Sequence, residues 1–185
     1  MSHLPSLPSG SLIDIFARSP ELFEPLHAFG EAVMRGASPF LPGERELMAA
    51  FVSRLNGCRF CELAHATAAA HFGEDAGLVA RLVEDVETSG IAEPLRPVFR
   101  YLRTLTLTPA DTAAEEVRAM LDAGWGEEAV ENANLVCGYF SLMNRLVEGL
   151  GLEADAGMIA MAGRQLHDRG YAGIARMARS MRRSA

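Results

Sequence analysis

Two cysteines and a histidine form the part of this sequence best suited to chemistry. Cys58 and Cys61 are three residues apart, and His65 follows four residues after Cys61. Residues three or four apart on a helix share a face, so this spacing predicts that both sulfurs and the imidazole lie on one side. The sulfurs could then form a disulfide after a small adjustment, and the imidazole could reach the Cys61 sulfur directly or through one water.

The residues before this pair place it where a helix begins. Asn56 and Gly57 tolerate the left-handed conformation that ends helices, so they predict a break and a new helix from about Cys58. The free N–H groups and the dipole of a first turn favour the thiolate, which is the reactive form of cysteine. His65 supplies a base, so the parts of a dithiol–disulfide catalyst are present. The helix dipole does not clearly identify which of the two cysteines is the more reactive, although it slightly favours Cys58 as the more acidic.

A carboxylate on the preceding helix is a further candidate. If that helix and the next form a hairpin, Glu46 folds back beside the thiols, where it can hold His65 in one tautomer or pass a proton through water. Glu44 and Glu46 also suit an ordinary role as acidic residues in a first turn. Spacing alone leaves both interpretations open.

Metal binding and a purely structural role are alternatives to redox chemistry. Cys58, Cys61 and His65 provide three of the four ligands that zinc needs, and Glu46 could be the fourth. Structural zinc sites usually have a second pair of ligands elsewhere, which this sequence lacks. Both cysteines could also fill a core as small apolar groups. Redox chemistry remains the favoured interpretation, and it needs neither a metal nor an organic cofactor.

Composition limits the possible partners and locations. The 185 residues carry a formal net charge of −7 and no basic stripe, which argues against a nucleic-acid partner. No apolar run approaches the roughly 20 residues that a bilayer needs, so we expect no membrane association. The first ten residues do not resemble a secretory signal. We therefore expect a cytoplasmic protein, whose thiols stay reduced unless they are redox-active or metal-bound.

Apolar residues recur at three-to-four spacing almost throughout, which predicts an all-α chain. We predict a single compact multi-helix bundle over residues 1–185, with the redox motif at 43–73 and a C-terminal helical extension at about 153–185. The predicted helices cover 20–35, about 44–55, 58–72, 78–88, the stretch from Pro94 to Pro109, a segment capped by Asp111, 127–150, and the extension, which is broken at Gly170.

Several other residue types that can do chemistry fit a core or surface role. Cys137 lies on the apolar stripe of the longest predicted helix, and Trp125 is expected to anchor a helix junction. His71 is expected at the surface, and the sequence identifies no partner for His27. Core filling is the expected role of the methionines at helical spacing, which are Met34, Met48, Met120, Met143, Met158 and Met161.

The spacing of Glu46, eleven residues, Cys58-x-x-Cys61, three residues and His65 resembles the alkylhydroperoxidase D-like family, within the carboxymuconolactone decarboxylase superfamily. The matching stretch is about 43–73. A later stretch at 130–151 resembles the longer, peroxidase-related members of the family. The decarboxylase branch lacks the cysteine pair, which argues against a lactone lyase.

This resemblance implies a peroxiredoxin-type antioxidant enzyme that assembles as homotrimers or hexamers and reduces hydroperoxides. In the family pattern the second cysteine, here Cys61, attacks the peroxide and becomes a sulfenic acid, and the first, here Cys58, resolves it to a disulfide. His65 and Glu46 relay the proton that activates Cys61. An external dithiol or protein reductant must then restore the thiols.

One departure from the family pattern leaves other functions open. The best-known peroxidase members have a histidine directly before the second cysteine, where this chain has Phe60. The proton relay would lose one member. One alternative is therefore a thiol–disulfide exchange protein without peroxidase activity, and another is a metal-binding or structural helical oligomer.

Overall fold

The computed structural model describes residues 2–7 and 10–184, and the structure within these ranges is helical, with no strand. This confirms the predicted all-α fold. Ala185, the last residue of the predicted C-terminal extension, lies outside the described residues. The α-helices are α1 (Leu12–Arg18), α2 (Pro20–Arg35), α3 (Pro42–Leu55), α4 (Arg59–His71), α5 (Leu78–Glu84), α6 (Arg96–Leu107), α7 (Ala114–Asp122), α8 (Glu127–Gly149) and α9 (Ala156–Ser184).

Two predicted helix ends are wrong. Helix α5 ends at Glu84 rather than Thr88, because Asp85 turns to an extended backbone and its carboxylate accepts hydrogen bonds from the Glu87 N–H and the Thr88 hydroxyl. Asp111 does not cap the next helix, because it lies in a short 3-10 turn and α7 begins only at Ala114. Local side-chain bonds of this kind compete with helix continuation and are hard to identify from periodicity.

Helices α3 and α4 form a tight hairpin that ends and restarts the chain just before the cysteine pair. Gly57 has a φ of 76°, while Asn56 keeps a right-handed helical conformation, so only the glycine takes the left-handed position. The Cys58 N–H donates to the Ser53 carbonyl at 2.9 Å, the bond expected for a helix closed by a left-handed glycine. The hairpin is therefore built into the local sequence.

Helix α3 lies at the centre of the bundle and is buried on nearly all sides. Its apolar segment from Leu47 to Val52 is at most 1% exposed, and it packs against α4, α5, α6 and α8. Alanines at positions 64, 68 and 69 let α4 approach α3 closely. The helices that carry Glu46, Cys61 and His65 are thus held at the buried centre of the bundle.

Helix α9 breaks where the sequence predicts, at Gly170, which has φ 60° and ψ −164°. Beyond the break, the N–H groups of Tyr171 and Ala172 donate to the Glu31 carboxylate of α2 at 2.7 and 2.9 Å. A Cβ at Gly170 would lie 2.6 Å from the same carboxylate oxygen, so this position requires glycine. Glu31 therefore caps the second half of α9 and fixes the direction of Tyr171.

No helix in the described part of the chain is long and apolar enough to cross a membrane.

Candidate active site at the start of helix α4

The two cysteines occupy different positions at the start of α4. Cys58 is the residue that precedes the helix, with an extended backbone, and Cys61 is the third helical residue. The expectation that both lie in the first turn is therefore correct for Cys61 alone. Both are free thiols. The two side chains are close enough that Cys61 affects the pKa of Cys58.

The surroundings of the two sulfurs also differ. Cys58 is fully buried in a small apolar cluster with Ile15, Val147 and Leu152. Interaction with the Cys61 side chain raises the pKa of the Cys58 thiol above its ordinary value, and burial raises it further. The helix dipole alone predicted a slightly more acidic Cys58. Its surroundings act in the opposite direction, because they favour the protonated thiol. Cys61 is 3% exposed and borders a cavity.

The α3–α4 hairpin brings Glu46 and His65 into direct contact, as its geometry predicts. The Nδ1 atom of His65 lies 2.6 Å from Oε2 of Glu46, and the carboxylate is fully buried. The ring also packs edge-on against Phe140 of α8, with ring centroids 4.5 Å apart. Because Nδ1 is engaged, Nε2 is the imidazole nitrogen left to act on a reacting group.

Two further residues at this cluster were missed by sequence reasoning. Arg35, at the end of α2, places Nη2 2.5 Å from Oε1 of Glu46, and the Tyr171 hydroxyl donates to the same oxygen at 3.2 Å. Arg35 looked like an ordinary basic residue in a last helical turn, and Tyr171 lies 125 residues after its partner. The only local signal was the break at Gly170, which predicts a change of direction but not its target.

Glu46 is charged in this setting despite its burial. Burial would raise the pKa of the Glu46 carboxyl, but the charge and hydrogen bond of His65, together with Arg35, outweigh it and lower this pKa. Burial and the Glu46 charge raise the pKa of Tyr171 well above its usual value, so the phenol stays protonated and donates. The cluster is therefore an anion held by a guanidinium, a phenol and an imidazole.

A cavity of about 150 Å³ lies against this cluster, between α4, α8 and α9, with α1 and α2 along one side. Cys61 and His65 form part of its wall, whereas Cys58 does not reach it. Phe60 adds an aromatic face at the position where the family pattern has a histidine. The walls are otherwise mostly apolar, so water competes weakly with an organic ligand there.

The six methionines predicted to fill the core differ in burial. Met34, Met48, Met120 and Met143 are buried, as predicted. Met158 and Met161 are not core residues, since they are 37% and 55% exposed and line the cavity from α9. Helical spacing does not distinguish buried methionines from exposed ones, because both kinds lie on the apolar face of an amphipathic helix.

The remaining predicted positions fall where expected. Cys137 is buried in the core, 3.4 Å from the Thr106 hydroxyl, and His71 is exposed. Trp125 joins two segments, since its indole N–H donates to the Pro94 carbonyl at 2.6 Å.

Among the described residues, no three histidine, cysteine or acidic side chains are grouped so that they could hold a metal ion.

Comparison with known proteins agrees with this architecture. Residues 20–93 match the carboxymuconolactone decarboxylase family. An alkylhydroperoxidase AhpD core protein, described as an uncharacterized peroxidase-related protein from Ralstonia eutropha JMP134, is 19% identical, with a TM-score of 0.72 over 81% of this chain and 78% of that one. An uncharacterized peroxidase-related protein from Silicibacter sp. TM1040 is 22% identical, with a TM-score of 0.73 over 79% and 76%.

A third solved structure, from Agrobacterium tumefaciens, is described as a protein of unknown function and putative antioxidant defence protein AhpD. It is 18% identical, with a TM-score of 0.68 over 80% of this chain and 99% of that one. No curated protein matches significantly. The fold is thus that of the AhpD-like proteins. Beyond the fold, the similarity to the carboxymuconolactone decarboxylase family covers residues 20–93 of this chain.

Proposed function

We propose that this protein is an oxidoreductase that reduces hydroperoxides through a Cys61–Cys58 dithiol–disulfide cycle. The observation that carries the proposal is the asymmetry of the pair: Cys61 borders the cavity together with His65, and Cys58 lies behind it, within hydrogen-bonding reach. A substrate in the cavity can therefore meet only one of the two sulfurs. The other is placed to react with the first.

In the first step, Nε2 of His65 takes the proton of the Cys61 thiol. The thiolate then attacks one oxygen of the hydroperoxide, so an S–O bond forms and the O–O bond breaks. The alkoxide accepts the proton from the imidazolium and leaves as an alcohol. Cys61 becomes a sulfenic acid, oxidised by the two electrons that the peroxide bond gains.

In the second step, the sulfur of Cys58 attacks the sulfenic sulfur of Cys61. A disulfide forms and water leaves, with the Cys58 proton going to the departing hydroxyl. An external dithiol or protein reductant then attacks the disulfide and restores both thiols while becoming oxidised itself. This cycle uses no organic cofactor and no metal.

The buried carboxylate gives His65 its role in this cycle. Glu46 accepts the Nδ1–H of His65 at 2.6 Å, which fixes the tautomer and stabilises the imidazolium once the proton has moved. Arg35 and Tyr171 hold the carboxylate in place from its other oxygen. They act through Glu46 and are positioning residues.

The fold neighbours support the same class of activity. Two are described as peroxidase-related and the third as a putative antioxidant defence protein. We further propose a cytoplasmic homo-oligomer, a trimer or hexamer, as the family resemblance implies. We also propose that the chain acts as one domain, because α9 supplies Tyr171 and a wall of the cavity.

The proposal is tested by mixing fully reduced protein with cumene hydroperoxide and titrating the remaining thiols. We expect one hydroperoxide to consume the Cys58 and Cys61 thiols and to leave Cys137 reduced, as peptide mapping would show. If the protein consumes hydroperoxide no faster than an equal concentration of free cysteine, the proposal is wrong.

A thiol–disulfide exchange function is the second candidate, and Phe60 favours it. The apolar ring stands where a proton-carrying histidine would assist peroxide cleavage. Such a protein would reduce a disulfide substrate through a Cys58–Cys61 disulfide, yet would react with cumene hydroperoxide only at the rate of a free thiol. The same thiol titration therefore separates the two functions.

A further inference from the structure

His27 is a buried polar side chain that the proposed cycle does not use. It lies in α2 and borders the same cavity as Cys61, from a different wall. The residue is 1% exposed, and neither ring nitrogen has a hydrogen-bonding partner among the described residues. Its ring meets Phe16 edge-on, with centroids 4.4 Å apart. Both ring nitrogens of this cavity-wall residue are thus left without a partner by the residues that the structure describes.

An unpaired imidazole destabilises the folded protein, because burial removes its hydrogen bonds to water and supplies none in return. Such groups in native proteins call for an explanation. Ser11 and Tyr171 also line the cavity, but their hydroxyls already bond to Asp14 and Glu46. The cavity is the adjoining space from which a partner for His27 can come.

The charge state of His27 limits what that partner can be. Burial lowers the pKa of His27 from 6.5 to about 4, so the ring is neutral near pH 7. A neutral imidazole offers one N–H donor and one nitrogen acceptor. It therefore suits a hydroxyl or a carbonyl group, and it gives no charge to hold a carboxylate.

We propose that His27 is a ligand-binding residue, which forms a hydrogen bond to an uncharged polar group of the substrate while Cys61 meets the hydroperoxide. The substrate class is then an organic hydroperoxide with an apolar body and a second polar group, a hydroxyl or a carbonyl. The mostly apolar walls between α2 and α4 contact the body of such a molecule. This inference rests on the proposed function only in assigning the reacting end of the ligand to Cys61.

Two alcohols that cannot be reduced test this binding without turnover. One is 2-phenyl-2-propanol, which has a single hydroxyl, and the other is 1,4-bis(2-hydroxy-2-propyl)benzene, which has a hydroxyl at each end. Calorimetric titration of the reduced protein should give a dissociation constant about fivefold to tenfold lower for the diol, beyond the twofold advantage of its equivalent ends. Equal affinities after that correction would overturn the proposal.

Three variants assign the preference to His27. His27→Phe keeps the ring contact with Phe16 and should lose the preference for the diol, whereas His27→Gln keeps a donor and an acceptor and should retain part of it. Met177→Leu changes the same cavity without removing a polar nitrogen and should retain all of it. A preference that persists in His27→Phe would contradict the proposal.

A measurement on the parent protein keeps the test independent of how well the variants fold. In protein with ¹⁵N-labelled histidine, the ring nitrogens of His27 should shift when the diol binds and much less with the single-hydroxyl alcohol. A ring unaffected by the diol would overturn the role of His27. No peroxide is present in these binding experiments. The peroxidase proposal can therefore fail while ligand binding by His27 is confirmed, or be confirmed while ligand binding by His27 fails.

Discussion

Cys61 and Cys137 are equally buried, each 3% exposed, yet their surroundings differ, and the proposed cycle uses only Cys61. Cys61 lies at the start of a helix, borders a cavity with His65 and has a second thiol, Cys58, next to it. Cys137 lies in the middle of α8 against Thr106, and burial raises the pKa of its thiol. Burial alone therefore does not identify a reactive cysteine. The groups next to the sulfur and the access of a substrate to it do.

The largest expected effect tests the difference between Cys61 and Cys137 directly. Cys61→Ser should lower the rate of cumene hydroperoxide reduction by ~100-fold or more, because the attacking sulfur is gone. Cys137→Ala should change that rate by less than about twofold, with only a loss of stability from the small cavity it creates. Stopped-flow measurement of thiol oxidation compares the two variants. A rate loss of similar size in both would mean that the cavity does not select Cys61.

The next effect concerns the Glu46 carboxylate, which contacts His65. Glu46→Gln removes the charge that fixes His65 and leaves the Arg35 guanidinium without its anion. We expect kcat/KM to fall by about 10–100-fold and the free energy of unfolding to fall by roughly 3 kcal/mol. Glu44→Gln, a first-turn acid in the same helix, is the matched control and should leave kcat/KM unchanged. Urea titration and steady-state kinetics make the measurements, and equal effects in the two variants would contradict the assigned role of Glu46.

The dependence of folding stability on acid pH tests His27, whose buried ring has no hydrogen-bonding partner within the described ranges, unlike the Glu46 carboxylate. Because the folded pKa of His27 is about 4 and its ordinary value is 6.5, the unfolded chain binds the proton first as pH falls. Titration of His27 therefore does not affect stability above pH 6.5, and it destabilises the folded protein progressively as pH falls from 6.5 towards 4. Relative to His27→Phe, the parent should lose roughly 3 kcal/mol of unfolding free energy over this window in urea titrations. Parallel pH curves for the two proteins would contradict the burial of a neutral ring.

A smaller effect is expected from the phenol at Glu46. Tyr171→Phe removes one hydrogen bond to the carboxylate and keeps the ring, so kcat/KM should fall by about threefold to tenfold. The acid limb of its pH profile should move to higher pH, because the Glu46 carboxylate loses a donor. Tyr139→Phe is the control, as this neighbouring ring also lines the cavity and makes no hydrogen bond to Glu46 in the described structure. Identical pH profiles for Tyr171→Phe and the parent would rule out a role through Glu46.

The smallest expected change improves the site. Phe60→His restores the residue of the family pattern and adds a proton carrier to the cavity wall, so the rate with hydroperoxide should rise by about twofold to fivefold. Phe60→Leu changes the same wall without a titratable group and should not raise it. A rise of equal size in both variants would show that space, and not proton transfer, limits the parent.

The sequence predicts the part of the site that is local along the chain. Gly57 ends α3, and the spacing of Cys58, Cys61 and His65 follows from one helix and the residue before it, so these positions can be placed without coordinates. Glu46 needs only the hairpin between adjacent helices. The same locality explains why most helices, and the break at Gly170, were predicted correctly.

The residues that reach the site from distant parts of the chain could not be predicted. Arg35 and Tyr171 meet at Glu46 because α2 and α9 pack together, and no spacing rule links them. Met158 and Met161 have the periodicity of core residues but face an open cavity. Single-sequence patterns show which face of a helix is apolar, and only tertiary packing decides whether that face meets a neighbour or a void.

The central claim is that the cavity exposes Cys61, and not Cys58, to the oxidant. The most direct measurement traps the sulfenic acid: Cys58→Ser protein, which cannot form the disulfide, is treated with an equivalent of cumene hydroperoxide in the presence of dimedone, and the labelled peptide is located by mass spectrometry. The account predicts that the label lies on Cys61 in near-stoichiometric amount and that Cys137 remains unlabelled. A label chiefly on Cys137, no label at all, or equal labelling of Cys58 in the reciprocal Cys61→Ser variant would contradict it.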